Sequence, residues 1–187
     1  MNMQTKLIQL DEATHTYRDE NGVIIPSVTQ ILESVFPFKY GNDYVNQRGK
    51  AVHTACDLID TGKLDWDTVD KRIEGYAWAY QKFLSEVKPI YVASEQIVYS
   101  EVYGYCGTLD RHTSRILFDI KTGIKVFTHA MQTAGYVEAV GLRLKRKCLY
   151  LKDNGNYEVV AYTDGSDIFN FLACLKIFNI KKKEGLI

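Results

Sequence analysis

Three strand-like segments follow one another in the middle of the chain, with helical spacing before and after them. The strand-like segments are 91–100, 106–113 and 115–122. Apolar residues recur every three or four positions in 66–87 before them and in 127–142 after them, which is typical of amphipathic helices. A further strand-like segment follows at 147–152. The order helix, three strands, helix, strand predicts a layered α/β domain.

Further elements are predicted at both ends of this core. Residues 6–25 indicate a β-hairpin, because Asn21-Gly22 is a strong turn pair between two strand-like runs. A Ser-x-x-Gln pattern that starts at Ser27 predicts a helix N-terminus. The other expected elements are helices over 27–37, 42–62 and 166–182 and a strand over 154–163. All of them are expected to belong to one domain, residues 1–187.

The charges of the chain balance, with 23 basic and 23 acidic residues among 187. A protein that coats nucleic acid non-specifically is usually basic, so any contact with DNA has to come from a local patch. Residues 143–152 are the candidate patch, since they contain five basic residues and no acidic one. Such a run is also typical of a solvated strand face, and the sequence leaves both interpretations open.

Four cysteines lie singly along the chain, at Cys56, Cys106, Cys148 and Cys174. Their spacing matches neither a zinc ribbon nor a clustered iron–sulfur motif, so we predict no iron–sulfur cluster. The N-terminus does not resemble a signal peptide, and no apolar run is long enough to cross a membrane. These features predict a cytoplasmic protein with reduced thiols and no membrane partner.

The segment Asp119-Ile120-Lys121 places two opposite charges at the end of an otherwise apolar strand. Alternate side chains of a strand point to the same face, so Asp119 and Lys121 are expected to be neighbours while Ile120 faces the core. A salt bridge at the surface is one interpretation of this pair. A catalytic pair is the other, and the pattern alone does not decide between them.

Asp110 lies near the end of the preceding predicted strand, and it converges on Asp119 if the two strands pair. Two carboxylates held close together repel each other, and a divalent cation removes that conflict. Oxygen ligands of this kind suit Mg²⁺ or Mn²⁺. Gly104 and Gly107 precede Asp110, and glycine allows a backbone or a phosphate to approach closely.

Three more polar residues lie on predicted helices. His53 follows Arg48-Gly49-Lys50 early in its helix, where a packed or exposed histidine is commoner than a metal ligand. Gln132 and Tyr136 are four residues apart and therefore share a helix face. None of the three residues identifies a site by itself.

Taken in order, these segments resemble the motifs of the PD-(D/E)xK nuclease superfamily, specifically its RecB-like and phage exonuclease branch. The matching segments are RGKAVH (48–53), GTLD (107–110), DIKTG (119–123) and QTAGY (132–136). The segment HTYRDENGVIIPSVTQIL (15–32) is also similar to the N-terminal region of many phage-encoded members. The resemblance implies a restriction-endonuclease-like core, with the order α-β-β-β-α-β and a mixed central sheet flanked by helices. An N-terminal β-hairpin and a C-terminal helix are then additions to that core.

The resemblance also implies a metal site and a catalytic lysine. Asp110 and Asp119 match the two metal-binding acids of the family, and the carbonyl group of Ile120 matches a further ligand. His53 matches the histidine ligand of the RecB-like branch. Lys121 matches the catalytic lysine, which can orient the attacking water or neutralise developing negative charge.

Three further residues are matched by the resemblance. Gln132 and Tyr136 match the Q-x-x-x-Y motif, which in the family lies near the active site and the bound strand. Glu95 matches an acid that assists a second metal ion in some members. Glu101 is close enough in sequence to be the counterpart instead.

The implied activity is hydrolysis of DNA phosphodiester bonds with one or two Mg²⁺ or Mn²⁺ ions. Because a histidine ligand favours softer divalent ions, we expect Mn²⁺ to support the reaction at least as well as Mg²⁺. The leading hypothesis is a phage or prophage exonuclease of DNA recombination or repair that acts on linear DNA, alone, as a homo-oligomer or with a recombination partner protein. The alternatives are a site-specific or structure-specific endonuclease and a DNA-binding protein with an inactive nuclease fold.

Overall fold

The computed structural model describes residues 7–12, 14–37 and 43–187. Its strands are β1 (Ile8–Asp11), β2 (Thr16–Asp19), β3 (Ile24–Ile25), β4 (Ala93–Ser100), β5 (Tyr105–His112), β6 (Ile116–Lys121), β7 (Lys145–Leu151) and β8 (Tyr157–Tyr162). Its α-helices are α1 (Val28–Val35), α2 (Asp43–Asp60), α3 (Lys71–Val87), α4 (Thr128–Val140) and α5 (Asp167–Lys183). The strands form a three-stranded sheet, β1-β2-β3, and a five-stranded sheet, β4-β5-β6-β7-β8.

The five-stranded sheet contains both parallel and antiparallel neighbours. β4, β5 and β6 are antiparallel to one another in turn, β6 and β7 are parallel, and β8 returns antiparallel to β7. Helix α4 connects β6 to β7, because a parallel pair needs a crossover connection. The order α3-β4-β5-β6-α4-β7 is the α-β-β-β-α-β order expected from the sequence, so the predicted fold class is confirmed.

Helices cover both faces of this sheet. Helices α1, α4 and α5 share one apolar core with Leu117 of β6, and α2 and α3 share another with Phe118 and Ile120. This division follows from the alternation of side chains along β6. The same alternation places Asp119 and Lys121 on the side of α4, where they interrupt the end of an apolar face.

The N-terminal sheet has one strand more than predicted. The expected hairpin across Asn21-Gly22 is present as β2 and β3, and Gly22 has a φ of 77°, which glycine adopts readily. β1 adds to β2 as a further antiparallel strand. The start of α1 is as predicted, because Ser27 and Gln30 exchange side-chain and backbone hydrogen bonds at 3.2 and 3.0 Å.

The prediction of one helix over 66–87 is wrong at its start. Trp66–Thr68 form a separate 3₁₀ turn, and α3 begins only at Lys71. Asp70 separates the two, because its extended backbone and its hydrogen bond from the Arg72 amide make it the N-cap of α3. The apolar spacing alone therefore extended the helix past its cap.

The remaining predicted elements are present with ends shifted by a few residues. α2 covers Asp43–Asp60 within the predicted range 42–62, and residues 6 and 42, where two elements were expected to begin, lie outside the described residues. In the part of the chain that the structure describes, no helix has both the length and the apolar character needed to cross a membrane.

Candidate active site

The polar groups of the central strands meet where β5 and β6 separate. The ladder between these strands ends at the pair Arg111 and Phe118, and the next position would place Asp110 opposite Asp119. There the Asp110 side chain replaces a backbone acceptor, since its Oδ2 accepts a hydrogen bond from the Ile120 amide at 2.5 Å. The Asp110 carboxylate therefore reaches the backbone of β6 at the residue that follows Asp119.

The carbonyl group of Ile120 is directed towards the same gap. In an extended strand, the N–H and C=O groups of one residue point to the same neighbouring strand. Since the Ile120 amide donates to Asp110, the carbonyl also faces the β5 side. The orientation is compatible with the ligand role that the resemblance implies for this carbonyl.

Asp119 and Lys121 form an ion pair inside the protein, not on its surface. The Lys121 Nζ lies 2.7 Å from Asp119 Oδ2, and Asp119 is only 1% exposed. Burial alone would lower the pKa of Lys121, but the Asp119 and Asp110 carboxylates raise this pKa above its usual range. The buried thiol of Cys148 donates a further hydrogen bond to Asp119 Oδ2, at 3.4 Å. Lys121 is therefore a charged group beside an acid that has several partners.

His53, Glu95 and Asp110 converge from α2, β4 and β5. One potential ligand atom of each residue lies within 4.8 Å of those of the others. His53 Nδ1 is 3.5 Å from Glu95 Oε1 and 3.6 Å from Asp110 Oδ1. Burial alone would lower the pKa of His53, but the two carboxylates raise it to about 9. Burial raises the pKa of Asp110 to about 6, a shift that Asp119 increases and His53 opposes.

Glu95 has an unusual backbone conformation. Its φ is 46°, in the left-handed region that residues other than glycine rarely adopt. The ladder between β4 and β5 continues on both sides of Glu95 but skips Glu95 itself. Glu101, the other candidate from the sequence, is exposed in the turn after β4. Of the two acids, the structure brings Glu95 to His53 and Asp110.

Gln132 and Tyr136 lie on one face of α4. The Gln132 Nε2 donates a hydrogen bond to the Tyr136 hydroxyl at 3.1 Å. The Tyr136 ring lies so close to β5 that a Cβ atom at Gly107 would be 2.6 Å from its Cε1. The close approach that Gly107 allows is therefore that of an aromatic side chain. Gly104 has a different role, since it takes a φ of 68° in the turn after β4.

A buried arginine next to Asp110 escaped the sequence analysis. The Arg111 side chain is fully buried, and its guanidinium contacts Asp57 and Asp60 of α2 and Glu95 of β4. The sequence does contain a signal for the two aspartates, because positions 53, 57 and 60 share one face of a helix. Nothing in the strand pattern links Arg111 to that face.

His129 is a second residue that the sequence analysis missed. Its Nδ1 is 2.7 Å from the Tyr150 hydroxyl, which in turn is 2.9 Å from the Tyr162 hydroxyl. Burial, followed by the charge of Lys121, lowers the pKa of His129 to about 4, so its imidazole is neutral at pH 7. A cleft of about 360 Å³ is lined by residues that include His53, Lys121, His129 and Gln132.

The basic run over 143–152 extends away from this cleft. Lys145 lies beside the first residue of β6, whereas Tyr150 lies beside the last, Lys121. Arg146 is held by Asp167, with Nη2 2.9 Å from Oδ2. The geometry favours a structural and solvated role for most of the run over contact with a strand bound at Lys121.

The donor atoms of the site fit a divalent cation. One imidazole nitrogen and two carboxylates come together in His53, Glu95 and Asp110, and Asp119 follows on the adjacent strand. Burial disfavours the charged form of Asp110, and a bound cation would favour it. Carboxylate oxygen with imidazole suits Mg²⁺, Mn²⁺ and related divalent ions.

Comparison with known proteins shows the fold. No protein-family model and no curated protein sequence matches the chain. A crystal structure of a proposed exonuclease from Eubacterium rectale aligns with a TM-score of 0.56 and 12% identity, over 84% of this chain and 74% of that one. An alkaline exonuclease from Laribacter hongkongensis, LHK-Exo, aligns with a TM-score of 0.42 and 13% identity, over 86% and 94% of the two chains. The structure of LHK-Exo in complex with dAMP aligns with a TM-score of 0.40 and 15% identity, over 86% of this chain and 93% of that one. The chain therefore shares its fold with the Eubacterium rectale protein.

Proposed function

We propose that this chain is a metal-dependent deoxyribonuclease and that residues 1–187 form one PD-(D/E)xK nuclease domain. The observation that carries the proposal is the convergence of His53, Glu95 and Asp110 beside the buried ion pair of Asp119 and Lys121. A surface salt bridge or an ordinary packed histidine needs no such gathering of charges. Perturbed groups that line a cleft are typical of functional sites.

The residues divide into ligands and a charged partner. His53, Asp110 and Asp119 hold the cation, together with the Ile120 carbonyl, and Glu95 assists the same or a second ion. When bound, Mg²⁺ or Mn²⁺ lowers the pKa of a coordinated water and neutralises charge on the scissile phosphate. The protein contributes the fixed positions of these donors on α2 and on three neighbouring strands.

Lys121 supplies positive charge next to the ligands. Its ammonium is held by Asp119 at 2.7 Å and lines the cleft, so it can orient the attacking water or stabilise negative charge on the phosphoryl oxygens. Gln132 lines the same cleft and is oriented through the Tyr136 hydroxyl. We infer that Gln132 contacts the bound DNA strand and that Tyr136 fixes its position.

An exonuclease is the favoured form of this activity. The Eubacterium rectale protein that shares the fold is described as a proposed exonuclease, and the motifs resemble the phage exonuclease branch. We infer a role in DNA recombination or repair of phage type, in the cytoplasm, with linear DNA as substrate. The four free, buried cysteines are compatible with a reducing compartment.

A cleavage assay tests the proposal. End-labelled linear DNA and covalently closed circular DNA are incubated with the protein in Mg²⁺, Mn²⁺ or EDTA. We expect metal-dependent loss of the linear DNA only. Lys121→Ala should lower the rate by about 10²–10³-fold, the typical cost of removing one group that stabilises the transition state.

Lys71→Ala is the matched control, because Lys71 is an exposed lysine of α3 that pairs with the neighbouring Glu74. It should cleave at the wild-type rate and keep the wild-type melting temperature. Lys121→Ala leaves the buried Asp119 without its cation, so this variant should melt at a lower temperature but remain folded at the temperature of the assay. Cleavage of the closed circle would change the proposal to an endonuclease. DNA binding in EDTA without cleavage in either metal, or full activity in Lys121→Ala, would contradict it.

A further inference from the structure

Arg111 is a charged group enclosed by the protein. Its side chain has no exposed surface, and each guanidinium nitrogen has a carboxylate partner. Nε lies 2.7 Å from Asp60 Oδ2, Nη1 lies 2.9 Å from Glu95 Oε1, and Nη2 contacts Asp57. A planar guanidinium presents these donors in a fixed fork, which a lysine cannot reproduce.

These contacts join the elements that carry the proposed ligands. Asp57 and Asp60 belong to α2, which also carries His53 one turn earlier. Arg111 itself follows Asp110 on β5, and its third partner, Glu95, is a member of the cluster. One side chain therefore fixes α2 and β4 relative to β5.

The contact with Glu95 differs from the other two, because Glu95 has a strained backbone. The φ of 46° and the gap in the ladder mean that backbone pairing does not hold Glu95 in place. Arg111 Nη1 donates both to Glu95 Oε1 and to the main-chain carbonyl of Asp110, at 2.9 and 2.7 Å. This one nitrogen therefore links the Glu95 carboxylate to the backbone of Asp110, another of the proposed ligands.

We propose that Arg111 is a positioning residue that holds Glu95 in the orientation in which it serves the cation site. The inference rests on the proposed function, since it assumes that His53, Glu95 and Asp110 hold a divalent ion. Arg111 has no exposed surface through which to reach a substrate, and its guanidinium has no lone pair to offer a metal ion. It acts through Glu95, in the way that groups behind metal ligands fix the ligands' orientation.

The test is a calorimetric titration of Mn²⁺ into the full chain, without DNA. Four proteins form a cycle: wild type, Arg111→Lys, Glu95→Gln and the double variant. Arg111→Lys should weaken Mn²⁺ binding on the order of 10- to 100-fold, as is typical when a group behind a metal ligand is changed. In the Glu95→Gln background the same change should cause no further loss, because the group through which Arg111 acts is gone.

Asp57→Asn is the matched control. It removes a carboxylate from Arg111 but leaves the hydrogen bond of Nη1 to Glu95. It should bind Mn²⁺ as the wild type does. If Arg111 had only a structural role, Arg111→Lys and Asp57→Asn would instead weaken Mn²⁺ binding to a similar extent.

The inference would be overturned if Arg111→Lys weakened Mn²⁺ binding equally in the wild-type protein and in Glu95→Gln. Wild-type affinity for Mn²⁺ in Arg111→Lys would also overturn it. If Arg111→Lys does not fold, Glu95→Gln alone decides, because wild-type affinity in that variant would also overturn the inference. A wild-type protein that binds no Mn²⁺ would overturn the proposed function as well. Cleavage by the wild type together with an unaffected Arg111→Lys would overturn the inference alone.

Discussion

Two clusters of charged side chains lie one turn apart on α2, and their charges are balanced in different ways. In the closed cluster, Arg111 contacts Asp57 and Asp60 at ion-pair distance and has no exposed surface. In the open cluster, His53 is 3.5 Å from Glu95 and 3.6 Å from Asp110, too far for good hydrogen bonds. Glu95 contacts both clusters.

The difference separates a structural role from a binding role. The donors of the closed cluster are satisfied by the protein, so a ligand would have to displace existing contacts. In the open cluster, the potential ligand atoms lie near one another without close hydrogen bonds between His53 and the two acids, and burial raises the pKa of Asp110 to about 6. A cation bound there would favour the charged form of Asp110 without displacing a close contact, which is why we place the ion in the open cluster.

The largest effect is expected from breaking the closed cluster. Arg111→Met leaves three partly exposed carboxylates without their cation, and the loss of three ion-paired hydrogen bonds at about 1 kcal/mol each should lower the free energy of unfolding by about 3 kcal/mol. Urea unfolding in EDTA measures this loss. Asp110→Asn is the comparison from the open cluster and should lose far less, because Asn keeps an oxygen for the Ile120 amide. Equal losses in the two variants would remove the distinction between the clusters.

A somewhat smaller effect is expected from filling the open cluster. Mn²⁺ at about 100 times its dissociation constant should stabilise the native state by about 2.7 kcal/mol, since it binds the folded state only. For a chain of this size the melting temperature should then rise by about 5–10 °C. Thermal unfolding with and without Mn²⁺ measures the shift. Asp110→Asn should show little or none of it, and a full shift in that variant would argue that the ion binds elsewhere.

The smallest effect concerns the pH dependence of the metal-free protein. The native pKa of Asp110, about 6, is above the value of about 4 for an unfolded aspartate, so the native state binds this proton more tightly. Asp110 therefore costs stability as the pH rises from about 4 to about 6. The free energy of unfolding of the wild type should fall relative to Asp110→Asn by about 1–3 kcal/mol over this range. If the difference in the free energy of unfolding between the wild type and Asp110→Asn did not change with pH, the raised pKa of Asp110 would be contradicted.

The order of the core elements follows from periodicity, because three- and four-residue spacing and strand-like runs are local patterns. That Asp119 and Lys121 are neighbours follows from the two-residue alternation of a single strand. In the structure, the Lys121 Nζ lies 2.7 Å from Asp119 Oδ2. The start of α3 was missed because apolar spacing continues past Asp70, although an aspartate is a common N-cap. A capping residue should therefore be weighed against the spacing.

The closed cluster was not accessible to the same reasoning. Arg111 meets Asp57 and Asp60 through tertiary packing across about fifty residues, and no local pattern encodes such a contact. The choice between Glu95 and Glu101 stayed open in the sequence for a different reason. Glu95 has a left-handed backbone, so regular strand alternation does not describe where its side chain lies.

The most direct test of the account is the position of a bound ion. Crystals of the protein grown with Mn²⁺ allow anomalous scattering to locate the metal without reference to any proposed mechanism. We predict a peak among His53 Nδ1 and the carboxylates of Glu95 and Asp110, with Arg111 still bound to Asp57 and Asp60. A peak on the closed cluster, or no peak in the open cluster at saturating Mn²⁺, would contradict the account.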